Sequence, residues 1–214
     1  MMAPPAVLDH LTVAALTLDE GIAHVRRALG VTMPPGGSHP LMGTHNHLPQ
    51  LGGGVFLEVI APDPMAAPRR TRWFGLDDPT MRERLEVSPR LVSWVVRVPD
   101  LVRALALVGE GSGEPVRVTR GPLSWLISVP RDGSMPFAGA FPTLIEWPAG
   151  PHPSSRMADL GCRFEGLAIA HPQAARLSAA LAGVVDDNRI TVSTGPMSRI
   201  RAMVRTPEGL RELT

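Results

Sequence analysis

Short strand-like runs and longer segments with helical spacing alternate along the chain, and this succession recurs. LDHLTVAA at 8–15 is strand-like, and LDEGIAHVRRALG at 18–30 follows with apolar residues at helical intervals and Gly30 as a helix C-cap. THNHLPQL at 44–51, a triple-glycine turn and VFLEVIAP at 55–62 then predict a hairpin. The first unit is therefore predicted to contain a strand, a helix and further strands.

The same order appears twice more. RLVSWVVRV is a predicted strand and PDLVRALALVGEG a predicted helix, and further strands are predicted at 115–121, 123–130 and 141–148. A shorter third copy has a strand at 162–170, a helix at 171–183 and strands at 188–194 and 198–206. Because hairpins follow each crossover, we expect an α+β protein with mixed sheets and not a doubly wound parallel sheet.

These repeats divide the chain into successive modules. We predict two full βαβββ modules and a partial third, packed on the others. The predicted bounds are 6–64 for the first module, 65–89 for a linker, 90–150 for the second module and 160–214 for the third. We expect the third module either to pair with another subunit, giving a homodimer, or to close an open sheet edge.

Two ionisable residues lie in the middle of apolar strands of the first module. His10 is in the first strand, and the alternation of VFLEVI places Glu58 on the face away from the one that packs under the helix. Burying either side chain without a partner is costly. A metal ion or a direct contact between His10 and Glu58 would offset this cost, and imidazole and carboxylate are suitable ligands for Zn, Ni, Fe or Mn. Glu146 in TLIEWP occupies the matching place in the second repeat.

Other polar and aromatic residues are candidates for binding a ligand. In the strand at 44–51, His45 and Asn46 lie on opposite faces, and the pattern leaves open which face meets the cleft. Trp94, Trp125 and Trp147 lie in strands of the second module, where they either wall an apolar pocket or fill the core.

Composition removes several classes of function. The net charge is +1 without a block of like charges, which indicates neither nucleic acid nor a membrane surface as a partner. The chain contains no lysine, so Schiff-base chemistry is excluded. The single cysteine, Cys162, excludes a disulfide framework within the chain. Without a signal-peptide pattern or an apolar run of membrane-spanning length, the expected location is cytoplasmic.

Several segments resemble the glyoxalase-like domains of the vicinal-oxygen-chelate superfamily. They are LDHLTV, HPLMGTHNHLPQLGGGVFLEVIAPDP, SWVVRVPDL, LIEWPAGPHP and LAIAHPQ, and together they span nearly all of 7–206. The resemblance implies paired βαβββ modules around a cleft, with a divalent metal held by first-strand and last-strand residues of each module. Lyases, epimerases, dioxygenases and metal-free binding proteins share this scaffold.

The resemblance carries over residue by residue. His10 and Glu58 match the two ligand positions of the first module, and Glu146 matches the last-strand position of the second. The first-strand ligand position of the second module falls at Ser93, a poor metal ligand. It falls at Trp94 if the alignment shifts by one residue. The resemblance also includes His39, either as a cleft-lining or as a loop-stabilising residue.

Two functions follow as hypotheses. The first is a metal-dependent lyase, isomerase or dioxygenase-type enzyme, in which the metal polarises oxygens of a small substrate and Glu146 or Glu58 moves a proton. The second is a metal-free protein that binds or sequesters a small molecule in the same cleft. Because one scaffold of this kind carries unrelated reactions, the sequence does not identify the substrate.

Overall fold

A computed structural model describes residues 6–108 and 111–214. Its helices and strands, in chain order, are β1 (Val7–Ala14), α1 (Leu18–Leu29), β2 (Pro35–His39), β3 (Thr44–His47), β4 (Phe56–Pro62), α2 (Pro79–Val87), β5 (Arg90–Arg97), α3 (Leu101–Val108), β6 (Glu114–Arg120), β7 (Leu123–Val129), β8 (Thr143–Glu146), β9 (Arg163–His171), α4 (Ala174–Leu181), β10 (Ile190–Thr194), β11 (Arg199–Thr206) and β12 (Gly209–Leu213). Short 3₁₀ turns follow β7 and β8.

The first two modules form one eight-stranded sheet around a cleft. Its strand order is β2-β3-β4-β1-β5-β8-β7-β6, so each module pairs its first strand with its last. Both of these pairings, β1 with β4 and β5 with β8, are parallel, and the modules join through the antiparallel pair β1–β5. The predicted α+β class with repeated βαβββ modules is thereby confirmed.

Helix α1 begins and ends at the residues that the sequence marks. The Thr17 side chain accepts a hydrogen bond from the Glu20 backbone N–H, and the Glu20 carboxylate accepts one from Thr17, forming a capping box. Gly30 adopts the left-handed conformation with φ 74°, which glycine reaches without steric cost. In the second module, α3 ends at Val108, and residues 109–110 of the predicted helix lie outside the described residues.

The central strands β1, β4 and β5 are buried on both faces of the sheet. The outer face carries Leu11, Leu57 and Val59, which pack in one core with Val25 of α1. The cleft face carries a separate cluster that includes Ile60 of the first module. The alternation predicted from VFLEVI is therefore confirmed, since Leu57 and Val59 lie under the helix and Glu58 lies on the cleft side.

The linker at 65–89 has structure that the sequence did not predict. Helix α2 occupies its second half and is capped by the Asp78 side chain, which accepts from the Met81 backbone N–H. Before this helix, Trp73 and Phe74 pack into the cleft-side cluster. The linker thus contributes one wall of the cleft.

The third set of elements follows the predicted order of strands and helix along the chain. Its strands pair differently from those of the first two modules. Its own four-stranded sheet has the order β10-β9-β11-β12, in which β9 lies parallel to β10, the strand directly after α4. This sheet packs on the outer core of the first two modules through residues such as Leu167, Ile169 and Ile200. None of the described helices is long and apolar enough to span a membrane.

Candidate functional site

Each strand of the first module contributes one polar side chain to the floor of the cleft. His39 lies on β2, Asn46 on β3, Glu58 on β4 and His10 on β1, and all four are buried. His10, Glu58 and His39 line the same small chamber. The structure therefore brings together four of the residues that the sequence singled out.

A buried carboxylate supports His10 from behind. Asp9 Oδ1 lies 2.7 Å from His10 Nδ1, and on the other side of the ring His10 Nε2 lies 3.6 Å from Glu58 Oε2. The pairing of β1 with β5 shifts register between Leu8 and His10, so Asp9 sits at an irregularity of the kind that re-aims side chains. The result is a row of three groups, Asp9, His10 and Glu58, that ends at the chamber.

Asp9 also anchors the loop after β8. Its Oδ2 accepts hydrogen bonds from Trp147 Nε1 at 2.9 Å and from His152 Nε2 at 2.8 Å, and Arg97 Nη1 lies 3.8 Å away. Burial by itself would raise the pKa of Asp9, but hydrogen bonds and charge from His10 and His152 outweigh it and lower that pKa well below its usual range. Asp9 is therefore ionised and acts as an acceptor only.

The ionised state of Asp9 determines which nitrogen of His10 carries a proton. Because Asp9 can only accept, the hydrogen of the 2.7 Å contact belongs to His10 Nδ1. His10 Nε2 is then directed toward Glu58, and Phe56 stacks on the imidazole with ring centroids 4.4 Å apart. The imidazole is consequently held in one orientation, with a proton on Nδ1.

Asn46 connects the remaining two polar residues of the floor. Its Nδ2 donates to Glu58 Oε1 at 2.6 Å and lies 3.4 Å from His39 Nε2, while its Oδ1 accepts from the Gly37 backbone N–H. With the amide oriented in this way, His39 Nε2 accepts and His39 Nδ1 donates to Thr44 Oγ1. Burial, with smaller contributions from nearby cations, lowers the pKa of His39 to about 3, so this imidazole is neutral.

The second module and the linker supply apolar and aromatic walls. Trp125, Ile127 and Ile145 line the chamber from the second module, together with Trp73 of the linker. Trp73 and Trp125 both contact His39 edge-on, with ring centroids 5.1 and 5.9 Å away. The indole N–H groups of these two tryptophans are buried without a hydrogen-bond partner in the described part of the chain. Two residues that line the chamber thus carry donors without an acceptor among the described residues, which is uncommon in folded proteins.

The chamber adjoins a larger groove. The chamber itself offers about 20 Å³, room for about one water molecule, whereas the adjoining groove offers about 680 Å³. Arg120 and Trp147 border both spaces. Only the end of a ligand fits the chamber, and its body would lie in the groove.

Glu146 does not belong to this site, contrary to the sequence-based expectation. On β8 the side chain of Ile145 lies in the cleft-side cluster, and the neighbouring Leu144 lies in the outer core. Glu146 alternates with Ile145, and its Oε2 accepts a 2.7 Å hydrogen bond from the Leu101 backbone N–H at the start of α3. Its carboxylate therefore caps a helix on the other side of the sheet.

Two other candidates also lie elsewhere. Trp94 is fully buried in the outer core, where its Nε1 donates to the Ala140 carbonyl, so it fills the core and does not wall the cleft. His45 borders a separate surface hollow near the start of α1, because Asn46 takes the inward face of β3. Trp125 and Trp147 border the cleft.

The donor set does not fit the metal site that the resemblance implies. Over the ranges that the structure describes, no group of three or more His, Cys, Asp or Glu side chains is placed to hold a metal ion. With Glu146 on the opposite face, the second module presents Ile127 and Ile145 to the chamber. Ser93, at the fourth ligand position, is buried and donates to the Trp94 carbonyl. Of the expected metal ligands, His10 and Glu58 are the two that lie together at the chamber.

Sequence reasoning missed Asp9. The signal was present, because Asp9 adds a second ionisable residue to the apolar run VLDHLTVA and a strand seldom buries two such groups without a reason. Simple alternation would place Asp9 and His10 on opposite faces, and only the register shift brings them into contact. His152 precedes a proline in a loop, and that context gives no sign of its contact with Asp9.

The paired modules and their enclosed cleft define a protein of the vicinal-oxygen-chelate type. The family model described as a glyoxalase-like domain matches residues 8–185, and the chain belongs to this family. No match was found among curated proteins.

One solved structure supports the fold, and others are similar over part of the chain or more. A crystal structure of a hypothetical protein from Staphylococcus aureus aligns over 92% of this chain and 88% of its own, with a TM-score of 0.63 and 12% identity. Methylmalonyl-CoA epimerase from Mycobacterium tuberculosis aligns over 71% of this chain and 94% of its own, with a TM-score of 0.41 and 19% identity. A fusion of a xylose isomerase-like TIM barrel with 4-hydroxyphenylpyruvate dioxygenase covers 98% of this chain and 32% of its own, with a TM-score of 0.43 and 15% identity.

Proposed function

We propose that this protein binds a small carbonyl compound in the cleft and transfers a proton on it, with Glu58 as the base. The observation that carries the proposal is the buried row of Asp9, His10 and Glu58, which ends at a chamber adjoining a ligand-sized groove. Grooves of several hundred cubic ångströms are typical of small-molecule sites.

The surroundings of Glu58 favour its use as a proton acceptor. Asn46 holds one carboxylate oxygen at 2.6 Å, and the other oxygen lies 3.6 Å from His10 Nε2 and 3.5 Å from Thr12 Oγ1. A separation of 3.6 Å is too long for a strong hydrogen bond, so the imidazole does not hold this oxygen tightly. The second oxygen of Glu58 is thus the one available to a substrate.

The unpartnered indoles favour a carbonyl as the reacting group. When Glu58 takes a proton from the carbon beside a carbonyl, the electron pair of the broken C–H bond moves onto the carbonyl oxygen. Donors aimed at that oxygen would stabilise the developing charge. Trp73 and Trp125 line the same chamber, and their indole N–H groups find no acceptor among the described residues, so a ligand oxygen that reached them would satisfy one or both.

Proton exchange with solvent tests this function directly. We would incubate 2-oxobutanoate and hydroxyacetone with the protein in D₂O and follow the loss of the proton signals beside each carbonyl by NMR. The wild type is expected to accelerate exchange of at least one compound, and Glu58→Gln should reduce the rate by about 100-fold or more. Glu146→Gln is the matched control, because that carboxylate caps α3 on the other face, and it should keep the rate. Equal rates in all three proteins, or no acceleration by the wild type, would contradict the proposal.

A protein that binds its ligand without turnover is the second candidate. It is favoured by the small size of the chamber, which has room for about one water molecule beside a much larger groove. Binding in the groove without proton exchange would support it. One equivalent of metal in protein purified without chelator, lost in His10→Ala, would instead support the metal-dependent hypothesis.

A further inference from the structure

We propose that the ligand is an organic anion with an apolar body, and that Arg120 is the residue that binds its anionic group. This inference rests on the proposed function only in assuming that the groove and chamber are the ligand site. It adds the chemical class of the ligand and the residue that selects it.

Arg120 lies where an anion entering the cleft would meet it. It is the last residue of β6, at the edge of the sheet in the second module, and it borders both the chamber and the groove. Its guanidinium lies over the ring of Trp125, with Cζ 5.8 Å from the ring centroid. The aromatic face positions the cation while leaving its N–H donors free for a ligand.

The neighbouring strand is shaped to accept this side chain. A Cβ atom at Gly37 of β2 would lie 2.9 Å from Arg120 Cγ and 3.1 Å from its Cδ, which is too close for comfortable contact. The absence of a side chain at Gly37 lets the stem of Arg120 cross from the edge of one module to the edge of the other. Glycine is a common residue where such a close approach is needed.

The positive charge of Arg120 is not matched by the protein. Arg120 is half-buried, yet within residues 6–108 and 111–214 its guanidinium has neither an ion pair nor a hydrogen bond. Glu58 is the carboxylate that acts on it, but the two are not in contact, and Glu58 is already bound to Asn46. A partly desolvated cation without a partner favours binding of an anion.

The groove matches an anion with an apolar body. Apart from Arg120, its charged lining among the described residues is Arg156, and no Asp or Glu contributes to it. The rest of the lining is mainly apolar or glycine, including Leu48, Leu123, Trp147 and several prolines. An aromatic or branched apolar body would be buried there, while the anionic group pairs with arginine.

The test uses two probes that differ in charge but share an apolar body. Binding of 1-naphthoate and of 1-naphthamide to the whole protein would be measured by isothermal titration calorimetry. The wild type should bind the carboxylate more tightly than the amide. Arg120→Gln should weaken 1-naphthoate by about 10-fold to 100-fold, the range for loss of a charged hydrogen bond, and leave 1-naphthamide unchanged. Arg117→Gln on the same strand is the matched control, since Arg117 is exposed on the opposite face of β6, and it should bind both probes as the wild type does.

Several outcomes would overturn the inference. They are absence of 1-naphthoate binding by the wild type, equal affinity of the wild type for both probes, and a loss in Arg120→Gln that affects both probes alike. Glu58→Gln separates this inference from the proposed function, because the variant should still bind 1-naphthoate while it no longer exchanges protons. Binding that depends on Arg120 without any proton exchange would leave the anion site standing and contradict the proposed reaction.

Discussion

The two βαβββ modules share one strand order and differ in what they present to the cleft. The first presents His10, Asn46, Glu58 and His39, which are linked by hydrogen bonds and by the close approach of His10 to Glu58. The second presents Trp125, Ile127 and Ile145 to the same chamber. One module carries the polar groups and the other carries an apolar wall.

This difference shows that the fold repeats a scaffold without repeating its chemistry. The carboxylate of the second module still exists as Glu146, but a shift of one position along β8 places Ile145 inward. Because side chains alternate along a strand, a shift of one residue moves a group from the cleft to the opposite face. Glu146 then accepts a hydrogen bond at the start of α3 and does not reach the site.

The largest expected effect tests whether Trp94 of the second module supports the core and not the site. Trp94→Ala removes a fully buried ring and should lower the free energy of unfolding by about 3–5 kcal/mol, as measured by urea denaturation. Val102→Ala, an exposed position in the same module, should change it by less than about 0.5 kcal/mol. A loss under about 1 kcal/mol for Trp94→Ala would show that the ring does not support the core.

The next largest effect is the loss of stability at acid pH that His39, in the polar network of the first module, should cause. The pKa of His39 is about 3 in the folded protein and about 6.5 when unfolded, so the unfolded chain takes up this proton first. The contribution of neutral His39 to the free energy of unfolding is complete above about pH 6.5 and declines as the pH falls toward 3. Between about pH 7 and pH 5, the wild type should lose about 2 kcal/mol of unfolding free energy from this group.

A substitution of His39 should remove that part of the pH dependence. Denaturant unfolding at both pH values would show a smaller loss for His39→Gln than for the wild type. His45→Gln, on the outward face of the adjacent strand, is the control and should keep the wild-type pH dependence. If His39→Gln lost as much stability as the wild type, the assignment of a neutral buried imidazole would be wrong.

A smaller effect tests Asp9 as a positioning residue. Asp9→Asn replaces an obligatory acceptor by a group that can also donate, so a proton on His10 Nδ1 is no longer required. The proton-exchange rate should fall by about 10-fold or more. The Nδ1 chemical shift of His10 should change with its hydrogen bond, which a purely structural role for Asp9 would not produce.

The smallest effect is expected at the carboxylate that faces away from the cleft. Glu146→Gln keeps a hydrogen-bond acceptor for Leu101 but removes the negative charge at the start of α3, so stability should fall by about 0.3–1 kcal/mol. Thermal unfolding would measure this loss. A change in 1-naphthoate affinity would argue against the assignment of Glu146 to the helix cap.

Much of the first module could be predicted because its signals are local. The bounds of α1 follow from Thr17, Glu20 and Gly30, and the inward face of β4 follows from strict alternation. The face of β8 on which Glu146 lies could not be predicted in this way. This strand is four residues long, and a short strand carries too few alternating positions to fix its orientation. Helix α2 in the linker was also missed, although Trp73 of the same linker could be expected at a cleft end.

The sequence by itself determined the repeated modules, the ends of α1 and the burial of His10 and Glu58 in apolar strands. These properties depend on the periodicity and chemistry of neighbouring residues. Only the tertiary structure decided that Asp9 contacts His10 and that Glu146 faces a helix. It also decided that Asn46 and not His45 reaches the cleft, and that Arg120 crosses over Gly37 where the chamber meets the groove. Each of these depends on strand register and on the meeting of two modules, which no local pattern encodes.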